Sequence, residues 1–172
     1  MIAHALTLLA ATATTTLPST PELGMAEGRC RLEERGPAFL VDVGGLKDRK
    51  GRLKLELYPA NDTDFLADDN ILIGAGKVFR RVEVPVPQSG PVQLCIRTPG
   101  PGTYALSLLH DRDANRKFGL SVDGIGFAGN PRLGLSKPHA ADASARGDAG
   151  PTRIAIVMNY RRGLFAFGPL RK

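Results

Sequence analysis

A series of short stretches in this chain alternates apolar and polar residues. Phe39, Val41 and Val43 share one face of FLVDV, and Leu53, Leu55 and Leu57 share one face of RLKLELY. RRVEVPV offers Val82, Val84 and Val86, and VQLCIR offers Val92, Leu94 and Ile96. TYALSLL adds Tyr104, Leu106 and Leu108, and RIAIVMNY adds Ile154, Ile156 and Met158. Side chains on a strand point alternately to opposite faces, so each stretch turns one face to a core and the other to water. Turn residues separate the stretches: Gly44-Gly45, Pro59-Ala60-Asn61, Gln88-Ser89-Gly90-Pro91 and Pro99-Gly100-Pro101-Gly102. The pattern predicts an all-β fold, a single antiparallel β-sandwich of about seven strands. Ile71–Ile73 is read as a further short strand, and the Ala/Gly/Asp-rich segment 137–151 as a mobile loop. The C-terminal YRRGLFAFGPLRK is read as a strand end and a frayed tail.

The chain has 172 residues, enough for one domain with a real core. Its 20 glycines and 13 prolines suit many turns and few long helices. A net charge of +6 favours anionic partners. With aromatics at 6% and no Trp, stacking platforms for bases are scarce, so nucleic acid is not the expected partner.

The start of the chain, MIAHALTLLAATATTT, holds an apolar run and the small-x-small pattern Ala11-Thr12-Ala13. Residues 1–23 are therefore read as a signal peptide and linker, and 24–172 as the β-sandwich domain. No segment approaches the ~20 apolar residues that a membrane-spanning helix needs. The expected location is periplasmic or secreted. Cys30 and Cys95 are the two cysteines. Cys95 lies on the strand face opposite Val92, Leu94 and Ile96, so its partner must come from a segment laid over the outside of the sheet. EGRCRLEE fits that role, and a Cys30–Cys95 disulfide is expected in an oxidising compartment.

Asp111, Asp113 and Asn115 have the 1-3-5 spacing of an EF-hand calcium loop, with the Lys117 carbonyl at position 7. The match then fails. Arg116 stands where the loop needs Gly, and Val122 stands where it needs a bidentate Glu. Asp123 adds one oxygen if the chain folds back. Arg112, Arg116 and Lys117 can pair with the carboxylates in place of a metal. The expectation is a polar turn with no cofactor, and calcium is the alternative. A second acidic cluster, Asp62, Asp64, Asp68 and Asp69, is read as a solvated turn. His110 beside Asp111 is the only pairing that suggests a base and its orienter. No nucleophile elbow, H-E-x-x-H, P-loop or CxxC motif accompanies it, so no enzyme is expected.

Gly102-Thr103-Tyr104-Ala105, His110-Asp111, Asp113, Asn115, Lys117, Gly124-Ile125-Gly126-Phe127 and Gly129-Asn130 follow one another in a fixed order. In that order they resemble the domain-of-unknown-function family 2141, an uncharacterised family of exported bacterial proteins. Upstream, VGGLKDRKGRLKLELYP is similar to that family's opening strand pair. The resemblance departs at Gly119, where the family commonly has Asp. It implies a secreted or periplasmic sandwich similar to transthyretin-like or immunoglobulin-like modules. It implies no activity. The leading functional expectation is a non-catalytic binding module meeting an anionic envelope component, such as an acidic glycan or lipid headgroup. The alternatives are a calcium-stabilised structural or adhesive domain and an enzyme centred on His110.

Overall fold

The computed structural model describes residues 17–134, 136–163 and 166–170. The signal-peptide reading of residues 1–16 lies outside them. The fold is mostly β. Its strands are β1 (Ala38–Gly44), β2 (Arg52–Pro59), β3 (Arg80–Pro85), β4 (Val92–Arg97), β5 (Gly102–Asp111), β6 (Gly124–Phe127), β7 (Ser144–Gly147), β8 (Pro151–Val157), β9 (Asn159–Arg161) and β10 (Phe167–Pro169). Two short helices are α1 (Met25–Gly28) and α2 (Asp69–Gly74). The smaller sheet has the order β4-β1-β8, and the larger has β10-β9-β6-β5-β2-β3 with β7 pairing onto β5.

One apolar cluster joins the two sheets. It contains Phe39 and Val41 of β1, Leu94 and Ile96 of β4, and Ile156 of β8 from the smaller sheet. Leu53, Leu55 and Leu57 of β2 and Leu106 and Leu108 of β5 come from the larger. Val43, Val82, Val84, Tyr104 and Ile154 pack against it. These are the residues that the alternating pattern turned inward.

Three expectations are corrected. Among the described residues the strands number ten, not about seven. The added β6, β7, β9 and β10 have three or four residues each, too few for alternation to register. The pairing is not all antiparallel, because β1 and β8 run parallel. Ile71–Ile73 belongs to α2 rather than to a strand. Part of the expected mobile loop is also regular, since β7 registers Tyr104 against Ala145.

Much of the outer face of the larger sheet is covered. Glu56, Arg81 and Ser107 point there, and all three are buried. Residues 61–79, 133–134 and 136–143 fold over this face. They bring Phe65, Leu72, Phe79, Ala140 and Ala143 onto Tyr58, Ala105 and Phe127. Tyr58 meets Phe65 and Phe79 edge-on, at centroid distances of 5.7 and 5.4 Å.

The N-terminal arm crosses from one sheet to the other at the edge strands β3 and β4. The Gly24 carbonyl accepts the Arg81 N–H at 3.0 Å, and Arg29 bridges to Ile96. A Cβ on Gly28 would lie 2.6 Å from the Arg81 carbonyl oxygen, so only glycine allows the arm so close. Cys30 and Cys95 are disulfide-bonded, with Cα atoms 5.9 Å apart. The arm thus covers two strand edges that would otherwise offer unpaired backbone groups. Residues 17–23, read above as linker, also touch the domain. The Thr20 and Pro21 carbonyls accept Arg81 Nη1, and the Leu17 carbonyl accepts Asn70 Nδ2.

Candidate functional site

The pleat of β5 sends His110 and Asp111 to opposite faces, so neighbours in sequence serve different places. His110 enters the inter-sheet core and is fully buried. Its Nε2 lies 2.8 Å from the Lys50 carbonyl, and its Nδ1 lies 2.6 Å from the Tyr160 hydroxyl. A carbonyl only accepts, so Nε2 carries the proton. Nδ1 of the neutral ring then accepts from Tyr160, whose oxygen accepts the Lys47 N–H at 3.0 Å. Every polar atom in this chain of bonds has its partner with a neutral imidazole. Burial pushes the His110 pKa down, opposed by the Lys50 carbonyl and the Asp48 charge. Burial likewise raises the Tyr160 hydroxyl to about 12. The ring needs room that only glycine gives. A Cβ on Gly124, opposite His110 in the β5–β6 pairing, would sit 2.3 Å from the Tyr160 ring. The base–orienter pair that the adjacency of His110 and Asp111 suggested does not form, because the strand points the two apart.

Asp111 turns outward into the loop that follows β5. Its Oδ1 accepts the Asn115 N–H at 3.1 Å and its Oδ2 the Arg116 N–H at 2.7 Å. The chain does fold back to deliver Asp123, which is buried. Asp123 accepts the Arg112 N–H at 2.8 Å and the Gly119 N–H at 2.7 Å. Asp113 is exposed and accepts from the Asn115 side chain at 2.8 Å. The Asn115 side-chain Oδ1 in turn accepts the Lys117 N–H at 2.7 Å. Left-handed φ values at Ala114 and Arg116, 57° and 64°, let the turn aim these amides at the carboxylates. Gly119, where the resemblance departs, has its N–H on Asp123, and a Cβ there would lie 3.1 Å from that carboxylate.

Asp111, Asp113 and Asp123 can offer oxygens within 4.8 Å of one another. Among the described residues this is the only such group of three. The expected counter-charges are not what hold it. Arg112 turns its guanidinium to Asp48 at 2.5 Å, and Arg116 turns to Glu83 at 3.3 Å. The Lys117 side chain lines a neighbouring cleft. Backbone N–H groups take their place. Burial pushes the Asp111 carboxyl above its ordinary range, the Arg116 and Asn115 amides oppose this, and Asp113 and Asp123 add to it.

The second acidic cluster does not converge. Asp62 accepts from His139 Nδ1 at 2.8 Å and from the Ala140 N–H at 2.6 Å. Asp64 pairs with Lys77, and Asp69 pairs with Arg81 at 3.0 Å. Asp68 is exposed and makes no side-chain cap to α2.

Sequence reasoning missed the buried charge network on the outer face. Arg81 meets Glu56 at 2.8 Å and Asp69 at 3.0 Å, while Lys54 meets Glu56 at 3.3 Å. Tyr58 donates to Glu56 at 2.9 Å. These groups line an open cleft of about 540 Å³ with Arg116, Lys117 and the chain at Ser19–Pro21. Alternation marked Glu56 and Arg81 as outward, and nothing local shows that another layer covers them. Tyr160 was legible, since it continues the series Ile154, Ile156, Met158.

A family model described as "Uncharacterized protein conserved in bacteria (DUF2141)" matches residues 41–155. The match includes the whole His110–Asp123 loop and stops short of the N-terminal arm. No curated protein and no solved structure matches the chain.

Proposed function

Since the chain belongs to the bacterial family DUF2141, whose description assigns no activity, we propose a function from its own geometry: a non-catalytic binding module of the cell envelope, built on a transthyretin-like or immunoglobulin-like sandwich. The observation that carries the reading is the disulfide staple. Cys30–Cys95 ties the arm to β4 at the edge of the smaller sheet, and such a bond persists in oxidising compartments. The apolar N-terminal run and the small-x-small pattern support export. Cleavage after Ala13 would keep Thr20 and Pro21, which hold Arg81.

The absence of catalysis is argued from commitment. His110 is sealed in the core with both nitrogens engaged, so no substrate reaches it without local unfolding. In the charged cleft Arg81 and Lys54 already have carboxylate partners, and Arg116 has Glu83. A ligand there would have to break ion pairs. Binding is therefore assigned to the cationic surface and an anionic envelope component. Pull-down from envelope extract with the mature domain tests this. Capture of an anionic component at low salt supports the module, and no capture at low salt removes it.

The second reading is a calcium-stabilised structural domain, favoured by the three converging carboxylates. Asp111, Asp113 and Asp123 would hold the ion, with Asn115 as a neutral oxygen. Calcium asks for more oxygens than three carboxylates supply, and these carboxylates already accept backbone N–H groups. Thermal melting with calcium and then with a chelator separates the two. The leading reading expects one melting temperature in both. A rise of several degrees with calcium that the chelator reverses would establish the metal.

A further inference from the structure

We propose that the open end of the outer apolar layer docks the protein onto an anionic phospholipid surface, through Phe118, Leu120 and Phe167 within a rim of cations. This rests on the binding-module reading and names its partner. The second apolar cluster is closed over most of the sheet, but not at the β6–β9–β10 end. There Ile125, Phe127 and Leu133 line a groove of about 230 Å³ whose outer lip is Phe118, Leu120 and Phe167. Phe118 is 43% exposed and Leu120 54%. Their rings and branches project beside the loop just described. Phe118 and Phe167 lie against one another with centroids 6.0 Å apart.

The charge around the groove is one-sided. Lys137 lines it, and an adjoining groove that shares Leu133 and Phe167 adds Arg132 and Arg162. Among the described residues, no Asp or Glu lines either groove. The main-chain oxygen of Asp62 receives Lys137, but the Asp62 carboxylate is paired with His139. Exposed apolar side chains ringed by Lys and Arg match the boundary of an anionic bilayer. There the side chains enter the acyl edge and the cations meet phosphates. A soluble anion would use the cations and leave the apolar lip in water. A purely apolar partner would leave the cations without counter-charges.

The test is co-sedimentation of the oxidised mature domain with vesicles of phosphatidylglycerol and, separately, of phosphatidylcholine. Binding is expected to phosphatidylglycerol alone and to weaken as salt rises. Phe118→Ser with Leu120→Ser should lower partitioning by roughly ten-fold or more, from lost apolar burial. Arg132→Glu should lower it independently. Leu32→Ser serves as control, because Leu32 is fully exposed on the arm, away from the groove. It should bind as the parent does. Unchanged melting temperatures would show that the variants fold. Failure of the parent to bind phosphatidylglycerol, or undiminished binding by the double variant, overturns the proposal. A concentration-dependent dimer that the double variant loses, without vesicle binding, would give the groove to a second copy and also overturn it. Capture from envelope extract that survives the double substitution would leave the binding module standing and remove this surface.

Discussion

The imidazole of His110 is held neutral by its neighbours. It donates to a carbonyl and accepts from a hydroxyl, and its burial disfavours the cation. The folded pKa therefore lies below the ordinary value of 6.5. Below that pH the unfolded chain takes up a proton that the folded chain refuses. Stability must then fall as pH drops from about 6.5 toward the folded value, and it is insensitive to this group above about pH 7. His110→Phe should abolish that part of the pH dependence. It should also cost about 2–4 kcal/mol at pH 7.5, because the Lys50 carbonyl and Tyr160 hydroxyl lose their partners inside the core. Urea unfolding of both proteins from about pH 5 to about pH 8 checks both outcomes. Equal slopes of stability against pH would remove this role. The same residue marks a limit of reading sequence by adjacency. His110 and Asp111 look like a catalytic pair in a line of letters, and the pleat separates them.

At the scale of elements, the inward faces were legible because they rest on alternation alone. Val41, Leu55, Leu94, Leu106 and Ile156 all entered the core that their spacing assigned them. The Cys30–Cys95 pairing followed from the same logic, since Cys95 had to face away from that core. What alternation cannot show is whether an outward face is later covered. Glu56 and Arg81 read as surface residues and are buried, because α2 and the arm fold over them. Arg81→Ala would leave Asp69 as a buried carboxylate without its cation and Glu56 with Lys54 alone. The expected loss is about 3–5 kcal/mol, measured by denaturant unfolding. A loss under about 1 kcal/mol would mean that the network is hydrated, as surface pairs are. The loop after β5 was half legible. Its spacing predicted a polar turn, and the chain does fold back to bring Asp123, which the sequence offered only on that condition. The partners were misassigned, because the cations go to Asp48 and Glu83 while backbone amides hold the carboxylates. Side-chain spacing carries no information about which amides a turn will aim.

For the whole molecule, the arm and its disulfide decide how the two sheets hold together at their β3 and β4 edges. The bond closes a loop with a sequence separation of 65, worth roughly 4 kcal/mol in the chain-entropy account. Reduction should lower the melting temperature by several degrees and expose the β3 and β4 edges to faster amide exchange. A melt unchanged by reductant would show that the arm holds without it. The same bond suits an oxidising compartment, and the proposed module would meet an anionic envelope there through its cationic surface. No helix among the described residues is long and apolar enough to cross a membrane. The most direct test of that account is sedimentation of the oxidised domain with isolated envelopes while salt is raised from about 0.02 M to about 0.5 M. The account predicts that most of the protein pellets at the low end and is released at the high end. Protein that stays in the supernatant at low salt, or pellets equally at both, would contradict it.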